Sequence, residues 1–349
     1  MFGKYSKYSS TFFFKKNKHK SIRNRGDVRA HEIILENRSL NDNYKLNINF
    51  ILVLINKFKD NIFLFKNILK KINLNKIHYV HVHNINLLLA AALINLIYKK
   101  KIVLSIGGSD IYNLKKKILF KFLIRRVTLV LSVSKQLKKE FHKIYPSTIC
   151  KVMGNGVDLN FYKFKKKKKK KIILAVGNIR WQKDYLTLVK AFNKFQKINK
   201  DYKLYICGEI FDKKEYQIIT NYLRKNSIIN KVIFTGYINS FQIRNLIYKS
   251  KILIISSVSE GLPKVLLEAI SCGTPIISTN VGDNPQILND KTLIIPKKNF
   301  HKMYLAINSL INSKKKYNQV AKKFFYKRNN FDWKNIIFKT EKIIERHVC

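Results

Sequence analysis

Acidic residues are scarce in this chain: 20 Asp and Glu stand against 70 Lys and Arg, a formal charge of +50 over 349 residues. Such an excess draws a protein towards any polyanion, whether nucleic acid, anionic lipid or nucleotide diphosphate. Lys, Asn, Ile, Phe and Tyr are abundant along the whole length, loops included, which is equally the output of an AT-rich genome. Charge alone therefore selects no partner. The four cysteines, Cys150, Cys207, Cys272 and Cys349, are widely spaced, which excludes a disulfide framework and a paired zinc site and fits a reducing cytoplasm. No apolar run reaches the roughly 20 residues that cross a bilayer. The longest, residues 85–98, is broken by Asn86 and Asn95 and reads as a core helix. The aromatic run Phe12, Phe13, Phe14 is too short for a secretory leader and lacks a small-residue cleavage site.

What is present is an α/β alternation. The length favours two domains. From residue 171 onward, short Ile/Leu/Val runs at 172–176, 203–207, 232–234, 251–257, 275–279 and 292–295 alternate with amphipathic stretches at 185–195, 215–224 and 241–248. This pattern predicts βαβ units on a parallel sheet, with ligands at the carboxyl ends of the strands. Runs at 77–83, 101–106 and 128–134 repeat the scheme earlier in the chain. The lysine run 165–171 repels itself and is read as a solvated linker, dividing an N-terminal α/β domain (1–164) from a C-terminal one (165–330).

The densest chemistry lies at 260–268, where Glu260 and Glu268 enclose seven residues just after an Ile-rich run. Pro263 suits the first position of a helix and Gly273 its stop. A strand, a Gly-Pro turn and a helix start in succession build a phosphate site at the open edge of a sheet. Two carboxylates, one in the loop and one about one and a half turns into the helix, suit different hydroxyls of one extended ligand. A sugar nucleotide has that shape.

Glu260 to Glu268, followed by Ala269-Ile270-Ser271-Cys272-Gly273-Thr274-Pro275 and Asn280-Val281-Gly282, resembles the signature of glycosyltransferase family 4. The resemblance implies an α/β protein of GT-B fold, two Rossmann-like parallel-sheet domains facing a central cleft. It implies transfer of a sugar, with retention of configuration, from a nucleotide diphosphate sugar to a saccharide or lipid-linked acceptor, in cell-surface polysaccharide or glycolipid synthesis. By the same resemblance Glu260 binds the transferred sugar and Glu268 the ribose, while the amides of Gly261, Leu262, Lys264 and Val265 cap the diphosphate. Gly177-Asn178-Ile179-Arg180-Trp181-Gln182-Lys183 is similar to the family's phosphate-contacting segment. Lys183 matches its cation directly; Arg180 stands two residues beyond the usual arginine, where this chain has Asn178, and is assigned the same role. Gly177 joins the donor-binding set.

On the acceptor side, Gly107, Gly108 and Asp110 are similar to a family loop whose histidine is here replaced by Gly107, and His83 matches a strand-end motif. His81 and His83 at alternate strand positions also suit plain packing. The helix 332–346, within a closing segment 331–349, resembles the family's last helix, which returns to the first domain. Family members begin with a strand and a Gly-rich loop; the nearest candidate, Ser21 to Asp27 with the single Gly26, leaves either a diverged loop or a missing strand, and the first 45 residues are atypical. No Asp-x-Asp triplet occurs, so neither a metal nor another cofactor is expected. A cytoplasmic enzyme, peripheral at an anionic membrane surface, is the favoured reading. A non-catalytic relative serving as partner subunit and a basic nucleic-acid binder are the rivals, the latter supported by charge alone.

Overall fold

Strands buried on both faces read as unbroken Ile, Leu and Val runs, because helices cover both sides of a parallel sheet. The computed structural model describes residues 9–16, 33–37, 46–49 and 56–348, apart from 109, 112–113, 115–117 and 166–167. The expected glycine loop around Gly26 lies outside the described residues. The chain divides into two compact units, residues 1–155 with 333–349, and residues 156–332.

In the first unit the elements run β1 (Ser9–Lys16), β2 (Ile33–Asn37), β3 (Leu46–Asn49), α1 (Asn56–Lys71), β4 (Tyr79–Val82), α2 (Leu88–Tyr98), β5 (Lys101–Ile106), α3 (Ile118–Ile124), β6 (Leu129–Ser132), α4 (Lys135–His142) and β7 (Cys150–Val152). They form one seven-stranded sheet in the order β3-β1-β2-β4-β5-β6-β7. Strands β4 to β7 are parallel, as expected, but β2 is antiparallel to both β1 and β4. A parallel neighbour requires a helical crossover. The connecting sequence, residues 17–32, has Ile22, Val28 and Ala30 as its aliphatic residues, without the spacing of an apolar stripe for such a helix.

The second unit carries β8 (Ile172–Val176), α5 (Tyr185–Gln196), β9 (Lys203–Cys207), α6 (Lys213–Lys225), β10 (Val232–Gly236), α7 (Ser240–Lys249), β11 (Ile252–Ile255), α8 (Lys264–Ser271), β12 (Ile276–Thr279), α9 (Asn284–Leu288), β13 (Ile294–Ile295), α10 (Phe300–Asn312) and α11 (Lys314–Lys327). Its sheet is parallel throughout, in the order β10-β9-β8-β11-β12-β13. The chain therefore steps outward from β8 to β10 and then returns to the other side of β8 with β11. That reversal opens a crevice at the carboxyl ends of β8 and β11, the place where such sheets hold ligands. The last helix, α12 (Trp333–His347), belongs to the first unit: Ile344 and Val348 pack with Tyr79, Val103, Leu129 and Leu131.

The expected divide at residue 165 falls inside the second unit. Tyr162 is part of that unit's core, and the Val157 amide donates to the Phe331 carbonyl at 2.8 Å. The lysine run is not wholly a solvated linker either. Lys169 turns inward, its Nζ donating to Thr274 Oγ1 at 2.8 Å, and burial lowers its pKa to about 8. A lysine stem packs against apolar surface readily when its ammonium finds acceptors.

Candidate active site

Strand β8 ends at Val176, and the chain turns through Gly177 into a single 3-10 turn, Trp181–Lys183. Asp184, with φ 44°, stops that turn and caps α5, its side chain accepting from the Thr187 amide. The buried Ile179 holds the loop down: its amide donates to the Glu209 carbonyl, and its own carbonyl accepts from Phe211 and Asp212. Gly177 is required here. A Cβ on it would lie 2.7 Å from Lys183 Cε, and its φ of 152° already strains any side chain. The Tyr185 hydroxyl donates to the Gly177 carbonyl at 2.8 Å and fixes the turn.

The loop after β11 meets this turn. Ser256 Oγ donates to the Lys183 carbonyl at 2.7 Å, and the Val258 amide donates to the Gln182 carbonyl at 2.8 Å. Stitched together, the two loops set Lys183 Nζ 2.6 Å from Glu260 Oε1, with each side chain 14% exposed. Ser257 Oγ donates to the same oxygen at 2.8 Å. Burial alone would raise the Glu260 carboxyl, but the Lys183 charge and hydrogen bond, the Ser257 hydroxyl and the Arg180 charge outweigh it and leave it below the ordinary value. Glu260 is thus an ionised, acceptor-only group at neutral pH, beside a small hollow lined by Val176, Lys183, Tyr185, Ser257, Glu260 and Pro263.

Pro263 is the residue before the first turn of α8 and not its first residue, as the sequence suggested: its ψ of 131° is extended while its carbonyl accepts from the Leu266 amide. Its side chain offers no acceptor, so the start of α8 carries no side-chain cap. Glu268 is half-buried on the second turn of α8, and Gly273, with φ 69°, follows the helix's end. Gly282 braces the loop from behind. A Cβ there would fall 2.0 Å from the Gly261 carbonyl oxygen, which accepts from the Asp283 amide at 3.0 Å.

The structure therefore brings Lys183 and Glu260 into contact and sets the exposed Arg180 close enough for its charge to act on Glu260. Gly261, Leu262, Lys264 and Val265 follow at the entry to α8, and Gly177 serves by making room for Lys183. Sequence reasoning passed over Ser256, Ser257 and Tyr185. The serine pair directly after a buried strand was the available signal for the first two.

The acceptor-side candidates lie in the first unit, at the carboxyl ends of β4 and β5. Asp110 Oδ2 accepts from the Gly107 amide at 2.7 Å, and burial raises its pKa to about 6 against that bond. Gly108 beside it is exposed. The His81 and His83 rings stand 4.1 Å apart, and His81 Nε2 lies 2.8 Å from Ser105 Oγ. Burial lowers the pKa of both, His83 to about 4, so both rings are neutral at pH 7. His83 Nε2 has no hydrogen-bond partner among the described residues. Among these residues no three His, Cys, Asp or Glu form a metal-holding group, and no helix is long and apolar enough to cross a membrane.

Comparison with known proteins follows the same division. The family model described as glycosyl transferases group 1 matches residues 157–324, and that described as glycosyltransferase family 4 matches residues 26–161. The chain is 29% identical over 227 residues to N-acetyl-alpha-D-glucosaminyl L-malate synthase of Bacillus anthracis, covering 61% of this chain and 58% of that protein. It is 30% identical over 175 residues to an uncharacterized glycosyltransferase of Methanocaldococcus jannaschii, covering 46% and 44%. The match thus spans about half the length of these curated relatives. Among solved structures, the Anabaena protein HepE, determined in complex with UDP and glucose, superposes with a TM-score of 0.72 at 14% identity over 86% of each chain. Sucrose-phosphate synthase from Thermosynechococcus elongatus gives 0.73 at 15% identity over 86% of this chain and 82% of its own. Two α/β units, a Lys–Glu pair at the sheet reversal and two family models laid end to end lead to one assignment: the chain belongs to the GT-B glycosyltransferases of the family 4 type.

Proposed function

We propose that this protein transfers a hexose from a nucleotide diphosphate sugar to a saccharide or lipid-linked acceptor, with retention of configuration, in the synthesis of a cell-surface polysaccharide or glycolipid. The observation that carries the reading is the Lys183–Glu260 pair at the reversal of the second sheet. Negative charge builds on the leaving diphosphate as the glycosidic bond breaks, and fixed cations stabilise it most where water is scarce. Lys183 and Arg180 supply that charge, with the amides at the start of α8. Glu260 repels phosphate and favours hydroxyl donors. Lys183 and Ser257 occupy two of the roughly four lone-pair sites of its carboxylate, so capacity remains to orient the transferred sugar. Glu268 binds the ribose diol in this scheme. Gly107, Gly108, Asp110 and the neutral His83 are assigned to the acceptor. The reaction uses these fixed cations in place of a metal, and a cytoplasmic location supplies nucleotide sugars.

A thermal-shift screen of UDP-, GDP- and ADP-sugars tests the donor site, since a ligand at about 100 times its Kd adds about 2.7 kcal/mol of stability. One nucleotide class should raise the melting temperature, and Glu268→Ala should remove most of that rise. Incubation with the stabilising donor and candidate acceptors, followed by NMR of the anomeric proton, reads transfer and retention. Binding without turnover would mark a non-catalytic relative; no shift with any nucleotide sugar would end the proposal.

A further inference from the structure

Helix α2 lacks charged residues altogether and has the Asn95 amide and the Tyr98 hydroxyl as its side-chain polar groups, yet it is a surface helix. A helix that is apolar all round belongs in a core. Its Leu88, Ala91 and Ile94 do lie in the first unit's core and Leu89 packs against it, but Leu93, Leu96 and Ile97 form a second stripe that faces outward at helical spacing. Leu96 is 43% and Ile97 59% exposed. Helix α3 lies alongside, with Arg126 Nη1 3.4 Å from Asn95 Oδ1, and repeats the design. Phe120, Leu123 and Ile124 are buried while Leu119 and Phe122, three residues apart, are 54% and 60% exposed. Adjacent helices thus present apolar side chains that the unit's own core does not take up.

Charge identifies what covers them. Lys99 is exposed just past the end of α2, and Lys121, Arg125 and Arg126 are exposed in and beyond α3. Between residues 61 and 126, Asp110 is the one acidic residue against thirteen Lys and Arg, and it is tied to the Gly107 amide. An apolar face rimmed by cations, with no carboxylate on it among the described side chains, matches an anionic bilayer, whose headgroups meet the cations while the apolar side chains enter the acyl boundary. A second copy of the chain is disfavoured on this face, because it would set two cationic rims against each other. We propose that the outer faces of α2 and α3, centred on Leu96, Ile97, Leu119 and Phe122, are a docking surface for an anionic lipid bilayer. The inference stands apart from the donor site, which lies in the other unit.

The test is co-sedimentation of the full chain with vesicles of phosphatidylcholine, with and without one quarter phosphatidylglycerol, at about 0.15 M salt, where charges more than about 8 Å apart are screened. The comparison protein is Ile97→Ser with Phe122→Ser, which keeps every charge and changes exposed positions. The full chain should pellet with the phosphatidylglycerol vesicles, and the variant should bind at least about tenfold more weakly, since removing one such side chain from an apolar environment is worth roughly that factor. The variant's melting temperature and its response to nucleotide sugars should match those of the parent. Three outcomes overturn the proposal: a parent chain that stays in the supernatant, a variant that pellets equally, or a lipid-free parent oligomer that the variant converts to monomers, which would make this face a contact between copies.

Discussion

At the scale of single residues, the Lys183–Glu260 pair is worth more in the breaking than in the making. Two charges with side chains only 14% exposed lose most of their hydration, and their attraction offsets that loss without a large surplus. Removing one partner leaves the other charge buried, which costs about 3–5 kcal/mol. Lys183→Met should therefore lower the unfolding free energy of the second unit by that amount at neutral pH. The sign of the pH dependence separates this from a packing defect. In the parent, Glu260 is held below its ordinary value, so its stabilisation is complete above the unfolded carboxylate pKa of about 4.3 and is lost as pH falls through the lower folded value. In the variant, burial acts unopposed by Lys183 and raises the folded value, so Glu260 stabilises at acid pH and loses that contribution as pH rises. The gap between the two proteins, read from urea midpoints between about pH 4 and 7, should widen with pH; a constant gap would show that the pair carries no electrostatic stabilisation.

Elements decide where those residues stand. Gly282→Ala should disturb the site without touching a ligand. Its Cβ would meet the Gly261 and Glu260 carbonyl oxygens at 2.0 and 2.7 Å, so the loop carrying Glu260 must move. Gly236 is the matched control: it too has positive φ, 63° against 53°, but a Cβ there meets nothing within 4 Å. Gly236→Ala should cost the roughly 1 kcal/mol of left-handed strain alone, and Gly282→Ala visibly more, with a smaller thermal shift from the donor. Equal donor shifts in the two variants would mean that the brace is not needed.

The pattern of buried strands was plain in the sequence for the same reason that the sheet is sound. Ile172–Val176, Lys203–Cys207 and Lys101–Ile106 coincide with their apolar runs because a strand covered on both faces is apolar at nearly every inner position, and an exposed Lys marks the start of two of them. Thr292 and its neighbours instead form a 3-10 turn, with β13 reduced to Ile294–Ile295, because Asp290 accepts from the Thr292 amide and turns the chain there. Strands β1 to β3 were invisible, since their pairing is decided across the sheet and not within any one segment. In the site, Glu260 and Lys183 could be read from a shared register of motifs, whereas their direct contact could not. That contact depends on Gly177 leaving room beside it, and on Ser256 tying two loops 73 positions apart.

For the whole molecule, chain order and spatial order disagree, and folding must respect the second. The second unit is one continuous stretch whose ends meet: the Val157 amide donates to the Phe331 carbonyl, and Val157 bridges to Asp332. Its core, from Val157 to Phe331, draws on no described residue outside that stretch. The first unit is split, because Tyr79, Val103, Leu129 and Leu131 on one sheet face pack with Ile344 and Val348 from the far end of the chain, and Lys101 Nζ donates to the Val348 carbonyl at 2.6 Å. A fragment of residues 156–332 should therefore melt in one cooperative transition and keep its stabilisation by nucleotide diphosphate. A fragment of residues 1–155 lacks the strip that covers the sheet and should bind a hydrophobic dye and aggregate. Adding a peptide of residues 333–349 should reduce dye binding and restore solubility. A first fragment that is soluble and indifferent to the peptide, or a second that melts without cooperativity, would show that the two cores are not independent in the way their contacts indicate.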